Sequence, residues 1–104
     1  MFFNVTGSNK SELIAPGSGI DVKLVHITNL HSTDDVLVDL YISTISQNTT
    51  EADDYYLMKG YKIEQGGFLN LESKVLSFNN RNSSGFGLFI KLNKADSDVD
   101  IIIK

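Results

Sequence analysis

From Val36 to Ser43 the chain alternates without a break: Val36, Val38, Leu40 and Ile42 are aliphatic, and Leu37, Asp39, Tyr41 and Ser43 stand between them. Successive side chains of an extended strand point to opposite sides, so this period of two places one set in a core and the other on an outer face. The same pattern returns twice near the end. Phe86, Leu88, Ile90 and Leu92 alternate with Gly87, Phe89, Lys91 and Asn93, and Val99, Ile101 and Ile103 alternate with Asp98, Asp100, Ile102 and Lys104. No window offers a capped amphipathic helix, and Thr50 to Met58 is the one stretch that admits a short helical turn.

The remaining segments fit the same architecture. Phe2 to Val5 and Leu13 to Ala15 sit among Gly7, Ser8, Asn9, Pro16, Gly17 and Gly19, which predicts a first strand that is short, broken or at an edge. The apolar run from Val22 to Ile27 ends in a polar turn, Asn29 with His31 to Asp35. Gln47 to Asp54 reads as a solvent-facing loop before the cluster Tyr55 to Met58. The glycines of Gln65-Gly66-Gly67 allow a tight connection between Tyr61–Glu64 and Phe68–Leu71. Val75, Leu76 and Phe78 form another apolar piece, Asn79 to Gly85 an exposed loop, and Lys94 to Ser97 the link that makes the last two strands adjacent antiparallel partners.

These segments specify an all-β fold, a compact antiparallel β-sandwich of about seven or eight strands, Ig-like or jelly-roll-like, in preference to a barrel or an α/β fold. The length of 104 residues predicts one domain, 1–104, with 1–20 either an edge strand or an arm that contacts another subunit. A chain of this size buries about 65% of its extended surface on folding, enough for a core without metal or disulfide staples.

Composition removes several function classes. The chain has no cysteine, which rules out thiolate nucleophiles, thiolate metal sites and disulfides. Lys and Arg number 9 against 13 Asp and Glu, a formal charge of −4 that is unsuited to tracking phosphates, so no nucleic-acid partner is expected. No apolar run approaches a membrane span and the start has neither a basic leader nor a long apolar region, so no membrane partner is expected. Sequons at Asn4, Asn48 and Asn82 are read as chance in a chain rich in Asn, Ser and Thr.

The candidate chemical groups are sparse. Asn93, Asp96, Asp98 and Asp100 offer oxygen ligands for a hard cation such as calcium, but on a strand Asp98 and Asp100 share one face about 6.6 Å apart instead of wrapping an ion. A solvated face that guards a sheet edge is the better reading. His26, in phase with Leu24 and Thr28, is expected to be partly buried and hydrogen-bonded, and His31 to lie in a turn; neither has a companion that would make it a base or a ligand. Glu64 and Glu72 are expected as solvated strand-end residues. Gly66-Gly67 and Gly85-Phe86-Gly87 lack the context of a phosphate loop or dinucleotide fingerprint. No catalytic residue, metal site or cofactor is therefore assigned, and an enzyme is not expected.

Outward apolar positions carry more information. Leu37, Tyr41, Phe89 and Ile102 all fall on the outer phase of their strands, which implies either a covered second face or a protein interface. These four are the interface candidates. Tyr41, Tyr55, Tyr56, Tyr61, Phe68 and Phe89 include the candidate stacking groups for a sugar ring, and loop aromatics such as Tyr55 and Tyr56 set a carbohydrate-binding or adhesion module as the alternative function.

The layout as a whole resembles small β-sandwich structural proteins of tailed bacteriophages, the head-associated and neck or tail accessory proteins. The residues that carry the resemblance are Val25 to Asn29, Val36 to Ile42, Tyr55 to Gly60, Ile63 to Leu71, and the strands Phe86 to Leu92 and Asp98 to Ile103, roughly four fifths of the chain. It lies in the order of strands and turns, with no residue-level signature. The resemblance implies a non-enzymatic virion component, assembled in the host cytoplasm, that forms a homo-oligomer or attaches to another capsid, neck or tail protein.

Overall fold

The computed structural model describes residues 1–44, 54–76 and 85–104. Its strands are β1 (Phe2–Thr6), β2 (Ser11–Ile14), β3 (Leu24–Asn29), β4 (Val36–Ser43), β5 (Asp54–Ile63), β6 (Phe68–Glu72), β7 (Gly87–Leu92) and β8 (Asp98–Ile103), with one short helix, α1 (Ser73–Leu76), after β6. They form two antiparallel four-stranded sheets, ordered β1-β8-β3-β6 and β2-β7-β4-β5. Eight strands in that order make a jelly roll, in which the chain passes from one sheet to the other at nearly every step. That decides between the two sandwich types that the sequence left open.

The alternating segments supply the core as expected. Val25, Ile27, Ile101 and Ile103 project from the first sheet and Val36, Val38, Leu40, Leu88, Ile90 and Leu92 from the second, each no more than 1% exposed. Each such side chain, taken out of water, contributes about 1.5–3 kcal/mol. The outer row of each strand faces away from this layer, as the pleat requires.

Three sequence expectations are corrected. Lys94 to Ser97 does not join neighbours, because β7 pairs with β2 and β4 while β8 pairs with β1 and β3. Alternation shows that both strands have an inner row, but two strands facing each other across a core alternate just as two strands side by side do. The stretch ending in Leu76 is helical where an apolar strand piece was expected; Phe78 lies outside the described residues. The end of Thr50–Met58, from Asp54 onward, is strand β5 instead of a helical turn. Residues 50–53, the Gln47–Thr50 part of the expected loop, the loop residues 79–84 and the sequons at Asn48 and Asn82 also lie outside the described residues.

Within the first twenty residues there are two edge strands instead of one. β1 borders the first sheet, paired with β8 from Phe2↔Ile102 to Thr6↔Asp98, and β2 borders the second against β7. The Gly66-Gly67 connection is tight as expected but joins different sheets. The Gly67 amide donates to the Glu64 oxygen at 2.8 Å and Gly66 has φ 73°, the geometry that calls for glycine at the third position of a type II turn.

The four edge strands are β1 and β6 of the first sheet and β2 and β5 of the second. β1 and β6 have five residues each and β2 four. The longest edge, β5, breaks register against β4 between Val38 and Leu40 and again between Leu40 and Tyr41. At the first break the Gly60 amide turns to the Asp39 carboxylate at 2.7 Å. Short edges and bulges are the standard defences against strand-to-strand pairing with another chain.

Candidate functional site

The four interface candidates separate. Tyr41 and Phe89 are 2% and 0% exposed, so the structure removes both from any solvent-facing contact surface. They lie on the outer side of the second sheet, but this chain covers them. Their rings stack at 5.8 Å, Tyr56 packs on Tyr41 at 5.0 Å, and the Lys10 ammonium sits 5.5 Å from the Tyr41 ring centre and 5.6 Å from that of Phe89. A lysine laid over two rings buries its stem on them while its head stays wet. Burial pushes the Tyr41 hydroxyl above its ordinary value of 10.0, with Asp54, Tyr56 and Asp39 adding to the effect. Leu37 remains exposed and Ile102 is half-buried, on the outer sides of different sheets.

Tyr55 and Tyr56 do not form a paired stacking platform. Adjacent strand residues face opposite ways: Tyr55 meets Phe86 edge-on at 5.8 Å, whereas Tyr56 lies on Tyr41 with the Lys59 ammonium 4.4 Å from its ring centre.

The candidate oxygen ligands Asn93, Asp96, Asp98 and Asp100 are also dispersed. Asn93 accepts the Leu37 amide at 2.9 Å through its side-chain oxygen, and Asp96 bonds His31. Asp98 and Asp100 do share one face, bridged by the Asn4 side-chain amide at 2.8 and 2.9 Å. Glu64 and Glu72 are both exposed.

One new cluster does arise, since His31, Asp34 and Asp96 bring potential ligand atoms within 4.8 Å of one another. Its hydrogen bonds argue against a metal. The amides of Thr33 and Asp34 donate to His31 Nδ1 at 3.2 and 3.0 Å, so that nitrogen is an acceptor and the ring proton sits on Nε2, aimed at Asp96 Oδ2 at 2.9 Å. A neutral imidazole that bound a cation through Nε2 would have to carry its proton on Nδ1, where two N–H groups already point. The cluster is a bracket for the turn between β3 and β4. The hydrogen bond from His31, more than its charge, holds the Asp96 carboxyl below its ordinary value of 3.8.

A polar recess of about 430 Å³ beside Leu37, Asp39, Lys59 and Lys91 is similarly committed. Its Asp39 is already engaged by Lys59 at 3.7 Å and by the Gly60 amide.

Among the described residues, the outer side of the first sheet carries exposed aromatic side chains. β-Pairing sets Phe2, Ile102, His26 and Asn70 in one row and Asn4, Asp100, Thr28 and Phe68 in the next. Phe2 is 80% and Phe68 66% exposed. His26 stacks on Phe68 with ring centres 5.1 Å apart, and its Nδ1 meets Asn70 Oδ1 at 3.2 Å. Its half-buried, hydrogen-bonded state matches expectation. A recess of about 350 Å³ opens beside Phe2, Asn4, Asp100 and Ile102. Phe68 is among the candidate stacking aromatics of the sequence, whereas Phe2 does not stand out as a surface residue, because its short strand carries too little alternation to fix its phase.

No family model and no curated protein sequence matches the chain. Among solved structures it is similar to the Drosophila melanogaster CENP-C cupin domain, with a TM-score of 0.42 and 8% sequence identity over 99% of this chain. The chain spans 58% of the length of that structure. A likeness at that level has no bearing on what this chain does. Among the described residues no helix is long and apolar enough to cross a membrane.

Proposed function

We propose that the chain is a non-enzymatic structural module that works by self-association, in keeping with the resemblance of its strand order to tailed-phage virion proteins. The observation that carries this reading is the pair Phe2 and Phe68, exposed on the outer face of the first sheet. A sheet face that has only water to meet is ordinarily polar, and aromatic residues concentrated on one are a feature of contact surfaces. In a virion the partner is another copy or a neighbouring capsid, neck or tail protein. Jelly rolls also serve as lectin and cupin domains, so the fold alone does not choose among these roles.

Light scattering coupled to size-exclusion chromatography tests the reading across a wide concentration range, with calcium and with a chelator. Concentration-dependent association that ignores calcium is the expected result. A monomer at every concentration overturns self-association. Mass spectrometry of purified phage particles tests the virion role separately: the chain present at fixed stoichiometry supports it, and its absence overturns it.

A further inference from the structure

The outer face of the β1-β8-β3-β6 sheet is built so that one copy can close against another. Phe68 is exposed at one border, on β6, and the recess beside Phe2, Asn4, Asp100 and Ile102 lies at the other border, on β1 and β8. Phe68 shares its row with Asn4 and Asp100, at the same height along the strands as that recess. A two-fold axis parallel to the strands, between β8 and β3, exchanges the borders and keeps each row at its own height. Phe68 of each copy then enters the recess of the other, the reciprocity that a closed dimer demands.

Shape selects this axis over the alternative. Under the strand-parallel axis Asp100 meets Thr28 of the second copy, and Ile102 meets His26. A two-fold across the strands would set each strand on its own copy, β6 on β6, and leave Phe68 of each chain outside the recess of the other.

Area fixes the strength. Four strands about 4.8 Å apart, each five residues long at about 3.4 Å per residue, give a face of about 19 by 17 Å. Two such faces amount to about 650 Å² over both copies, the size class of weak and transient contacts. We therefore propose that this face is a homodimer surface, two copies packing sheet to sheet with Phe68 of each seated beside Phe2 and Ile102 of the other. The proposal rests on the self-association reading above and names the surface that performs it. The contact is weak and reversible, suited to a subunit whose neighbours in a larger assembly complete its anchorage.

The test is sedimentation equilibrium of the wild-type chain, Phe68→Asp and, as the control on the other sheet, Leu37→Asp. Phe68 is exposed, so its variant keeps the fold, verified by circular dichroism, and Phe68→Ser stands in should it not. We expect wild-type association, weakening of at least about tenfold in Phe68→Asp, and no change in Leu37→Asp. The chain has no cysteine, so a mixture of Asn4→Cys and Phe68→Cys chains with a bismaleimide of about 10 Å reach, the spacing of packed sheets, should give the mixed dimer. Neither variant alone should crosslink. If the wild type associates but only Leu37→Asp weakens it, the face is wrong while self-association stands. If Phe68→Cys crosslinks to itself and not to Asn4→Cys, the two-fold arrangement is wrong. A wild type that never associates overturns both this proposal and the reading beneath it.

Discussion

The Asn29 side-chain amide donates to the main-chain oxygen of Ile63 at 3.1 Å, tying the end of β3 in one sheet to the end of β5 in the other. The same nitrogen donates to the Asp34 oxygen at 2.9 Å, and the side-chain oxygen accepts the His31 amide at 3.0 Å. Asn29 is 1% exposed, so its removal strands three main-chain groups with little access to water. Asn29→Leu should cost about 2–4 kcal/mol in urea unfolding. Asn29→Asp should cost more at neutral pH than under acid conditions, because it sets a carboxylate against two carbonyl oxygens.

Gly87 opens β7 where β2 leaves its sheet, and a Cβ at that position would run into the Ile14 carbonyl and lie 2.7 Å from Pro16 Cδ. Both obstacles belong to the main chain or a rigid ring, so neither can swing aside. Gly87→Ala should destabilise the fold by about 1–3 kcal/mol, measured by thermal or urea unfolding. Gly85→Ala, two residues earlier with nothing within 4 Å of its added Cβ, should be close to neutral.

The hydrogen bond from His31 stabilises the charged form of Asp96 in the folded state, so its folded pKa lies below the ordinary 3.8. The contribution of a depressed carboxyl is present above the unfolded value and is lost as the pH falls through the folded one. A carboxyl-detected NMR titration should give Asp96 a midpoint below 3.8, and His31→Ala should move that midpoint back up. An unchanged midpoint would show that the bracket does not hold in solution.

Tyr41 behaves in the opposite sense. Burial favours its neutral phenol, so its folded pKa is raised, and its contribution to stability is intact below 10.0 and declines as the pH rises above that value. In a spectrophotometric titration, wild type and Tyr41→Phe should show the same phenolate absorbance at pH 10 while folded. They should diverge by one tyrosine only once the chain unfolds. A difference at pH 10 in the folded proteins would place the Tyr41 hydroxyl in solvent.

The strands with the longest alternation, β4, β7 and β8, were legible from periodicity alone, because one face of each enters the core. What periodicity cannot report is which strand lies beside which. It therefore left β7 and β8 as neighbours, although they occupy different sheets. The same limit explains Tyr41 and Phe89. Their outward phase was correct, but their cover comes from Lys10, which precedes β2, and from Tyr56 on β5, both brought in by long-range pairing. Phe2 and Phe68 differ for a related reason: among the described residues they remain 80% and 66% exposed on the outer side of the first sheet. Asn29, placed by composition in a polar turn, is a buried hub because its side-chain amide meets main-chain groups of the β3–β4 turn, His31 and Asp34, and of Ile63 at the end of β5.

The position of β8 also governs the order of events during synthesis. The last strand sits between β1 and β3, so the amino-terminal strand has no lateral partner until residues 98–102 leave the ribosome. Until then β1 and the β8-facing side of β3 carry unpaired main-chain groups, and the two exposed phenylalanines have no completed sheet beneath them. Pairings of such long sequence separation are slow to form. Unpaired strand edges and exposed apolar side chains make such a partly formed chain prone to association, and removal of residues 98–103 would leave β1 without its lateral partner.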